Sequence, residues 1–128
     1  MVTAIVVDDD LDTVEVFSEF LTLRGINVIG KAYDGSHGVQ LFEEKKPDIV
    51  FSDIWMPEFD GFYLLSTLKD KHPDSKIIMV TADLTQETDR KLKYYNADGV
   101  IYKPFRIEHI MTAIEGATKI THSYPNRL

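Results

Sequence analysis

The residues best suited to chemistry are polar side chains that directly follow apolar, strand-like runs. Five of them stand out: Asp8, Asp9, Asp53, Thr81 and Lys103. Carboxylates brought within a few ångströms repel one another by roughly 1 to 4 kcal/mol per pair, so three of them together need a cation. A hydroxyl and an ammonium group are donors suited to phosphoryl oxygens. The residue types therefore favour chemistry in which an aspartate meets a divalent ion and a phosphate.

The candidate nucleophile is Asp53. It ends an apolar run that begins at Ile49, and Pro57 and Gly61 in the following segment cannot continue a strand. A carboxylate with a divalent ion on one side can attack phosphorus and form an acyl phosphate. Oxygen ligands favour Mg²⁺, with Mn²⁺ as a substitute. Taken alone, each of these polar residues is also compatible with a simple turn, cap or solvated strand end.

Five strand-like segments alternate with five helical ones. The predicted strands are residues 4–7, 27–32, 49–53, 76–80 and 99–102, and the predicted helices are 12–24, a segment around 39–42, 62–71, 85–96 and a last helix from 107 onward. Asp12 or Thr13 is expected to cap the first helix and Gly25 to end it, while Thr85 begins and Asn96 ends the fourth. This alternation predicts an α/β fold, a doubly wound parallel sheet with helices on both faces.

Length and composition narrow the functional classes. With 128 residues the chain is one ordinary domain, and without cysteine it has neither disulfides nor cysteine-bound zinc. A net charge of −7 argues against direct binding of nucleic acid. We find no signal peptide and no membrane span, so we expect a cytoplasmic protein. The last ten residues show no periodicity and are too few for an output domain.

Four motifs together resemble one family. They are Val6-Val7-Asp8-Asp9, Asp53-x-x-Met56-Pro57-x-x-Asp60-Gly61, Val80-Thr81-Ala82 and Lys103-Pro104-Phe105. This pattern is similar to the CheY-like receiver domain of two-component response regulators, and it covers residues 3 to about 118. The resemblance implies the strand order 2-1-3-4-5. It also implies a receiver domain over residues 1–120 and a short tail over residues 121–128.

The same resemblance assigns roles around the phosphoacceptor, which would be Asp53. The phosphoryl group would come from the phosphohistidine of a sensor histidine kinase or from a phosphotransfer protein. Asp9 and Asp53 would bind Mg²⁺ directly, together with the backbone carbonyl of Trp55, and Asp8 would act through water. Thr81, Ala82 and Lys103 would bind the phosphoryl oxygens. Structural roles at the site are implied for three further residues: Pro57, Gly61 and Pro104, the last after a cis peptide bond.

The resemblance implies a signalling module rather than an ordinary enzyme, with Mg²⁺-dependent self-phosphorylation and self-dephosphorylation. The aspartyl phosphate would stabilise a surface that a target protein reads, at the face formed by the fourth helix, fifth strand and fifth helix. We expect a monomer or a weak dimer. Val100 stands where the family commonly has an aromatic residue, so we expect coupling to pass through Thr81 and the loop before the fourth helix.

Two alternatives remain open from the sequence. In a phosphohydrolase of the haloacid dehalogenase type, Asp8 would be the nucleophile and Asp10 the acid or base. Against it, no acidic pair follows Lys103 and no cap domain is present. In a degenerate receiver the fold would serve as a constitutive binding scaffold without phosphoryl chemistry.

Overall fold

The computed structural model describes the chain from Met1 to Thr121, with side chains through Thr118. Ten elements alternate along it: β1 (Thr3–Val7), α1 (Leu11–Leu23), β2 (Asn27–Ala32), α2 (Gly35–Lys45), β3 (Ile49–Asp53), α3 (Gly61–Lys71), β4 (Ile77–Thr81), α4 (Gln86–Tyr94), β5 (Gly99–Tyr102) and α5 (Ile107–Thr121). All neighbouring strands are parallel, in the order β2-β1-β3-β4-β5. The predicted doubly wound sheet is confirmed, including its strand order.

Helices cover both faces of the sheet. On one face α1 and α5 pack through residues such as Phe17 and Ile110, and on the other α2, α3 and α4 pack through Leu41, Leu65 and Leu92. The inner strands β1, β3 and β4 are buried on both sides, which explains why their sequences are continuous apolar runs. Among the described residues, no helix combines the length and apolarity that crossing a bilayer requires.

Most of the predicted helix ends are correct. Thr85 caps α4, where its hydroxyl accepts a hydrogen bond from the backbone N–H of Thr88. Gly25 has a φ of +81° just after α1, and Asn96 has a φ of +65° just after α4. Both residues are of types that tolerate the left-handed conformation at a helix end.

Several predicted boundaries differ from the structure by a few residues. The cap of α1 is Asp10 rather than Asp12 or Thr13, because the carbonyl of Asp10 already accepts a hydrogen bond from the N–H of Val14. The fourth strand runs one residue later than predicted, from Ile77 to Thr81. The last helix continues to Thr121, past the apolar residues that revealed it, since an established helix gains one hydrogen bond per added residue. The rest of the predicted tail, residues 122–128, lies outside the described residues.

A largely buried ion pair stabilises the end of the sheet where β4 begins. Lys69 Nζ lies 2.7 Å from Asp98 Oδ2, and the two side chains are only 13% and 10% exposed. The same ammonium donates to the carbonyl of Ser75, and Asp98 Oδ2 accepts the N–H of Ile77 at 2.8 Å. These bonds tie the C-terminal part of α3 to the start of β4 and to the connection between α4 and β5.

Candidate functional site

Three carboxylates meet at the C-terminal end of the sheet. Asp8 and Asp9 directly follow β1, and Asp53 is the last residue of β3. Because β1 and β3 are paired, with Val7 opposite Ser52, the two strand ends lie side by side. One oxygen from each carboxylate lies within 4.8 Å of the others. The structure therefore brings together the three acids that the sequence singled out.

The ammonium group of Lys103 faces these acids. Its Nζ lies 3.2 Å from Asp8 Oδ2 and 3.7 Å from Asp53 Oδ1. Lys103 directly follows β5 at the edge of the sheet, and the peptide bond between Lys103 and Pro104 is cis, as expected. Tyr102, one residue earlier, is exposed. The lysine thus spans from the edge strand towards the carboxylates on β1 and β3.

Thr81 completes the predicted rim. It is the last residue of β4 and is fully buried, and its carbonyl accepts the N–H of Lys103 at 2.8 Å. Its hydroxyl oxygen accepts the N–H of Asp83 at 3.0 Å. Ala82 follows directly and is exposed. Since Asp53 is opposite Val80 in the sheet, Thr81 lies one position beyond the carboxylate on the neighbouring strand.

The environment of Asp53 disfavours its charged form. Burial raises the pKa of Asp53 to about 6, the negative charge of Asp8 also raises it, and the ammonium of Lys103 acts in the opposite direction. The N–H of Ile54 donates to Asp53 Oδ1 at 2.9 Å, which fixes the rotation of the carboxylate. A cation bound next to Asp53 would stabilise its charged form and lower its pKa again.

The three carboxylates fit a magnesium ion. Their donor atoms are all oxygens, and Lys103 is the cation that the structure places against two of them. Asp9 is exposed while Asp8 is buried, so a bound ion would lie between the protein and solvent and could keep several waters. Receiver domains bind Mg²⁺ through acidic residues of this kind, and the cluster here has the composition to do so.

The loop after Asp53 folds back tightly onto the strand. The N–H of Gly61 donates to the carbonyl of Ile54 at 2.7 Å. Asp60 caps α3 by accepting the N–H of Tyr63 at 2.9 Å, and Pro57 lies exposed at the turn. The short loop holds the backbone next to Asp53 in one position.

One contact at the site was not foreseen. The indole Nε1 of Trp55 donates to Asp83 Oδ2 at 3.0 Å, across the gap between the loops that follow β3 and β4. Each residue lies two positions beyond a rim residue, Trp55 after Asp53 and Asp83 after Thr81. On neighbouring parallel strands that equal offset is a signal that the two side chains can meet, although the bond itself cannot be inferred from it.

The raised pKa of Asp53 predicts a pH-dependent stability. Between its ordinary value of 3.8 and about 6 the folded state holds a proton that the unfolded state has lost, so the unfolding free energy falls as the pH rises through this window. Asp53→Asn resembles the protonated acid. In EDTA, we compare the unfolding free energy of this variant with that of wild type at two pH values. We expect the difference in favour of the variant to be about 1 to 2 kcal/mol larger near pH 7 than near pH 4, allowing for solvent screening. Urea unfolding measures both differences, and equal differences at the two pH values would contradict the assignment.

Comparisons with known proteins agree with this geometry. The family model for the response regulator receiver domain matches residues 4–115. The chain is 32% identical over 119 residues to the chemotaxis protein CheY of Listeria monocytogenes, covering 93% of this chain and all of that one. It is 35% identical over 114 residues to the probable C4-dicarboxylate response regulator DctR of Priestia megaterium. That match covers 88% of this chain but only 50% of DctR, so the chain spans about half the length of this relative.

Solved structures show the same architecture. The CheX–CheY–BeF3–Mg complex from Borrelia burgdorferi matches with a TM-score of 0.87 and 26% identity, over 91% of this chain and 89% of that one. Receiver domains are signalling modules that work with histidine kinases and downstream effectors. With a family model that spans most of its length and a rim that carries the expected acids, threonine and lysine, this chain belongs to the response regulator receiver domain family.

Proposed function

We propose that the chain is a phosphorylation-controlled receiver in which Asp53 accepts the phosphoryl group. The observation that carries this proposal is the position of the Asp53 carboxylate, within 4.8 Å of Asp8 and Asp9 and with Lys103 Nζ 3.7 Å from its Oδ1. A nucleophile in that position has a cation site on one side and a donor for phosphoryl oxygens on the other. The donor molecule would be the phosphohistidine of a sensor histidine kinase or a phosphotransfer protein.

The transfer uses the rim residues in separate roles. An ionised oxygen of Asp53 attacks phosphorus; the new P–O bond forms as the P–N bond breaks, and the imidazole leaves with the electron pair. Lys103 contributes positive charge, and Thr81 and the N–H of Ala82 supply hydrogen-bond donors for the phosphoryl oxygens. In the separate hydrolysis step, a water attacks phosphorus as the bond between phosphorus and the Asp53 oxygen breaks, which releases inorganic phosphate and restores the Asp53 carboxylate.

The acidic residues would hold Mg²⁺, or Mn²⁺ in its place. Asp9, Asp53 and the backbone carbonyl of Trp55 would bind directly, and Asp8 through water. The ion supplies charge neutralisation for a transfer between anionic groups. Asp8 would keep its contact with Lys103, which orients the lysine towards Asp53.

We expect Asp9→Asn to weaken Mg²⁺ binding by at least about tenfold, because the ion loses one full negative charge among its nearest ligands. Trp55 is the only tryptophan and lies two residues from Asp53, so a Mg²⁺ titration followed by its fluorescence gives the affinity. Asp70→Asn removes one negative charge from an exposed position on α3 and serves as the matched control. Equal affinities of the two variants would contradict the proposed ligand set.

Phosphorylation would change partner binding at the face formed by α4, β5 and α5. Tyr94 and Tyr102 on this face are exposed and could contact a target protein. We propose that the receiver works as a monomer or weak dimer, without direct contact to nucleic acid or membrane. In a protein as long as DctR, about half of the length would lie outside the receiver and would be available for an output domain.

The decisive experiment is incubation with acetyl phosphate and Mg²⁺, followed by intact-protein mass spectrometry. We expect the mass of one phosphoryl group to be added and to disappear after the donor is removed. A degenerate receiver would add no mass and would bind its partner equally with and without the donor. The phosphohydrolase alternative loses its support, since the chain belongs to the receiver family and Asp10 is an exposed helix cap whose carboxylate binds the Thr13 hydroxyl.

A further inference from the structure

The carboxylate of Asp83 is held by donors from three parts of the chain. Trp55 Nε1 reaches Oδ2 at 3.0 Å from the loop after β3, and the hydroxyl of Thr88 reaches the same oxygen at 2.7 Å from inside α4. The N–H of Thr85, the cap of α4, donates to Oδ1 at 2.9 Å. Asp83 therefore joins the loop that carries the phosphoacceptor to the first turn of α4.

Trp55 also reaches α4 through its ring. The indole packs edge-on against Phe62, with ring centroids 5.7 Å apart. The ammonium of Lys91, in the second half of α4, lies 4.4 Å from the centroid of the same phenyl ring. Although Trp55 is 54% exposed, its side chain is thus fixed by contacts that lead to two successive turns of one helix.

The helix that these contacts reach is lightly anchored. Of the nine residues of α4, only Thr88 and Leu92 are buried. One of those two anchors is the residue whose hydroxyl binds Asp83. The position of the N-terminal half of α4 therefore depends on the link between Trp55, Asp83 and Thr88.

At its other end the link begins at the phosphorylation rim. Trp55 lies two residues after Asp53, and the N–H of Asp83 donates to the hydroxyl oxygen of Thr81. When the Thr81 hydroxyl turns towards a phosphoryl oxygen, its hydrogen bond from the N–H of Asp83 lengthens or breaks. A phosphoryl group gives Asp53 about 1.5 to 2 negative charges in place of the single charge of its carboxylate, and the larger charge repels the carboxylate of Asp83. Both effects move Asp83 away from its present partners.

We propose that Trp55 is a positioning residue that couples the phosphorylation site to α4, through its hydrogen bond to Asp83 and through Phe62. The inference rests on the proposed function of Asp53. In the unmodified chain the link holds the first turn of α4, and a phosphoryl group on Asp53 releases it. The coupling takes a route that does not need an aromatic ring at position 100, where the half-buried Val100 packs into the core.

Hydrogen exchange of the α4 amides tests the coupling on the full chain, with Mg²⁺ and BeF3⁻ as the phosphoryl mimic. We expect BeF3⁻ to speed the exchange of residues 86–94 at least fivefold in wild type. Trp55→Phe keeps an aromatic ring against Phe62 but removes the Nε1 donor, and Thr88→Val removes the hydroxyl. Both variants should exchange faster than wild type before BeF3⁻ is added and should respond to it less than twofold.

Control variants separate coupling from general destabilisation. Thr118→Val removes a hydroxyl that binds carbonyls of its own helix, and Tyr63→Phe removes a hydroxyl from an exposed aromatic side chain on α3. In both control variants, the α4 amides should exchange at the wild-type rate and should respond to BeF3⁻ as they do in wild type. Fluorine NMR of bound BeF3⁻ confirms equal occupancy in every variant, so that a lost response reflects lost coupling.

Two results would overturn the inference: a full BeF3⁻ response in Trp55→Phe, or α4 exchange in unmodified Trp55→Phe and Thr88→Val that equals wild type. Failure of the proposed function looks different, because wild type itself would then show no bound fluoride signal and no added phosphoryl mass. In that case the exchange of the unmodified variants still decides whether Trp55 and Thr88 hold α4.

Discussion

Asp53→Asn is expected to reduce phosphoryl uptake from acetyl phosphate to background, a loss of at least about 100-fold, because an amide oxygen is not a competent nucleophile towards phosphorus. The substitution keeps the size of the side chain and can keep the hydrogen bond from the N–H of Ile54 to Oδ1. The fold should therefore persist, and circular dichroism checks it. Intact-protein mass spectrometry after incubation with donor and Mg²⁺ measures the uptake.

The matched control is Asp12→Asn, which changes an exposed aspartate on α1. It should take up one phosphoryl group as wild type does. Peptide mapping should place that group on Asp53. Uptake by Asp53→Asn at the wild-type level, or mapping of the group to Asp8 or Asp9, would show that the acceptor has been assigned wrongly.

Gly61→Ala is expected to cost about 3 kcal/mol of unfolding free energy and to lower the melting temperature by about 10 °C. A Cβ at this position would lie 2.2 Å from the carbonyl oxygen of Asp53 and 2.7 Å from Ile54 Cα. Both neighbours are backbone atoms, so no side chain can rotate aside to make room. Urea and thermal unfolding measure the loss, and phosphoryl uptake should fall with it because the backbone at Asp53 must shift.

Gly116→Ala provides the comparison within the same chain. Gly116 lies on α5, and a Cβ built there meets nothing within 4 Å. Alanine should be neutral or should stabilise the helix by up to about 1 kcal/mol. If Gly61→Ala is as stable as Gly116→Ala, the loop after Asp53 is not held as tightly as the structure indicates.

Much of the fold could be predicted because each local signal agrees with the tertiary structure. The continuous apolar runs of β1, β3 and β4 follow from burial on both faces, and Thr85 and Asn96 occupy helix ends for reasons of local hydrogen bonding and backbone conformation. The convergence of Asp8, Asp53 and Lys103 follows from one rule, that parallel strands deliver their C-terminal ends to one edge.

What the sequence did not reveal depends on contacts between distant segments. Trp55 and Asp83 are 28 residues apart, and nothing in either neighbourhood specifies that an indole N–H will bind that carboxylate. The close approach at Gly61 likewise depends on how the loop folds back onto Asp53. The cap of α1 at Asp10 was not predicted because Asp10, Asp12 and Thr13 are all of residue types that favour the cap position.

The largely buried ion pair of Lys69 and Asp98 limits how α4 can move. It secures the connection that leaves the helix, while at the opposite end α4 is held through Asp83. Loss of the attachment through Asp83 alone would let α4 rotate about a point near Asn96. The displacement of the helix would then be largest at Gln86 and smallest at Tyr94. An effector that recognises this displacement should contact the first turn of α4, and substitutions in that turn should change its affinity more than substitutions in the last turn.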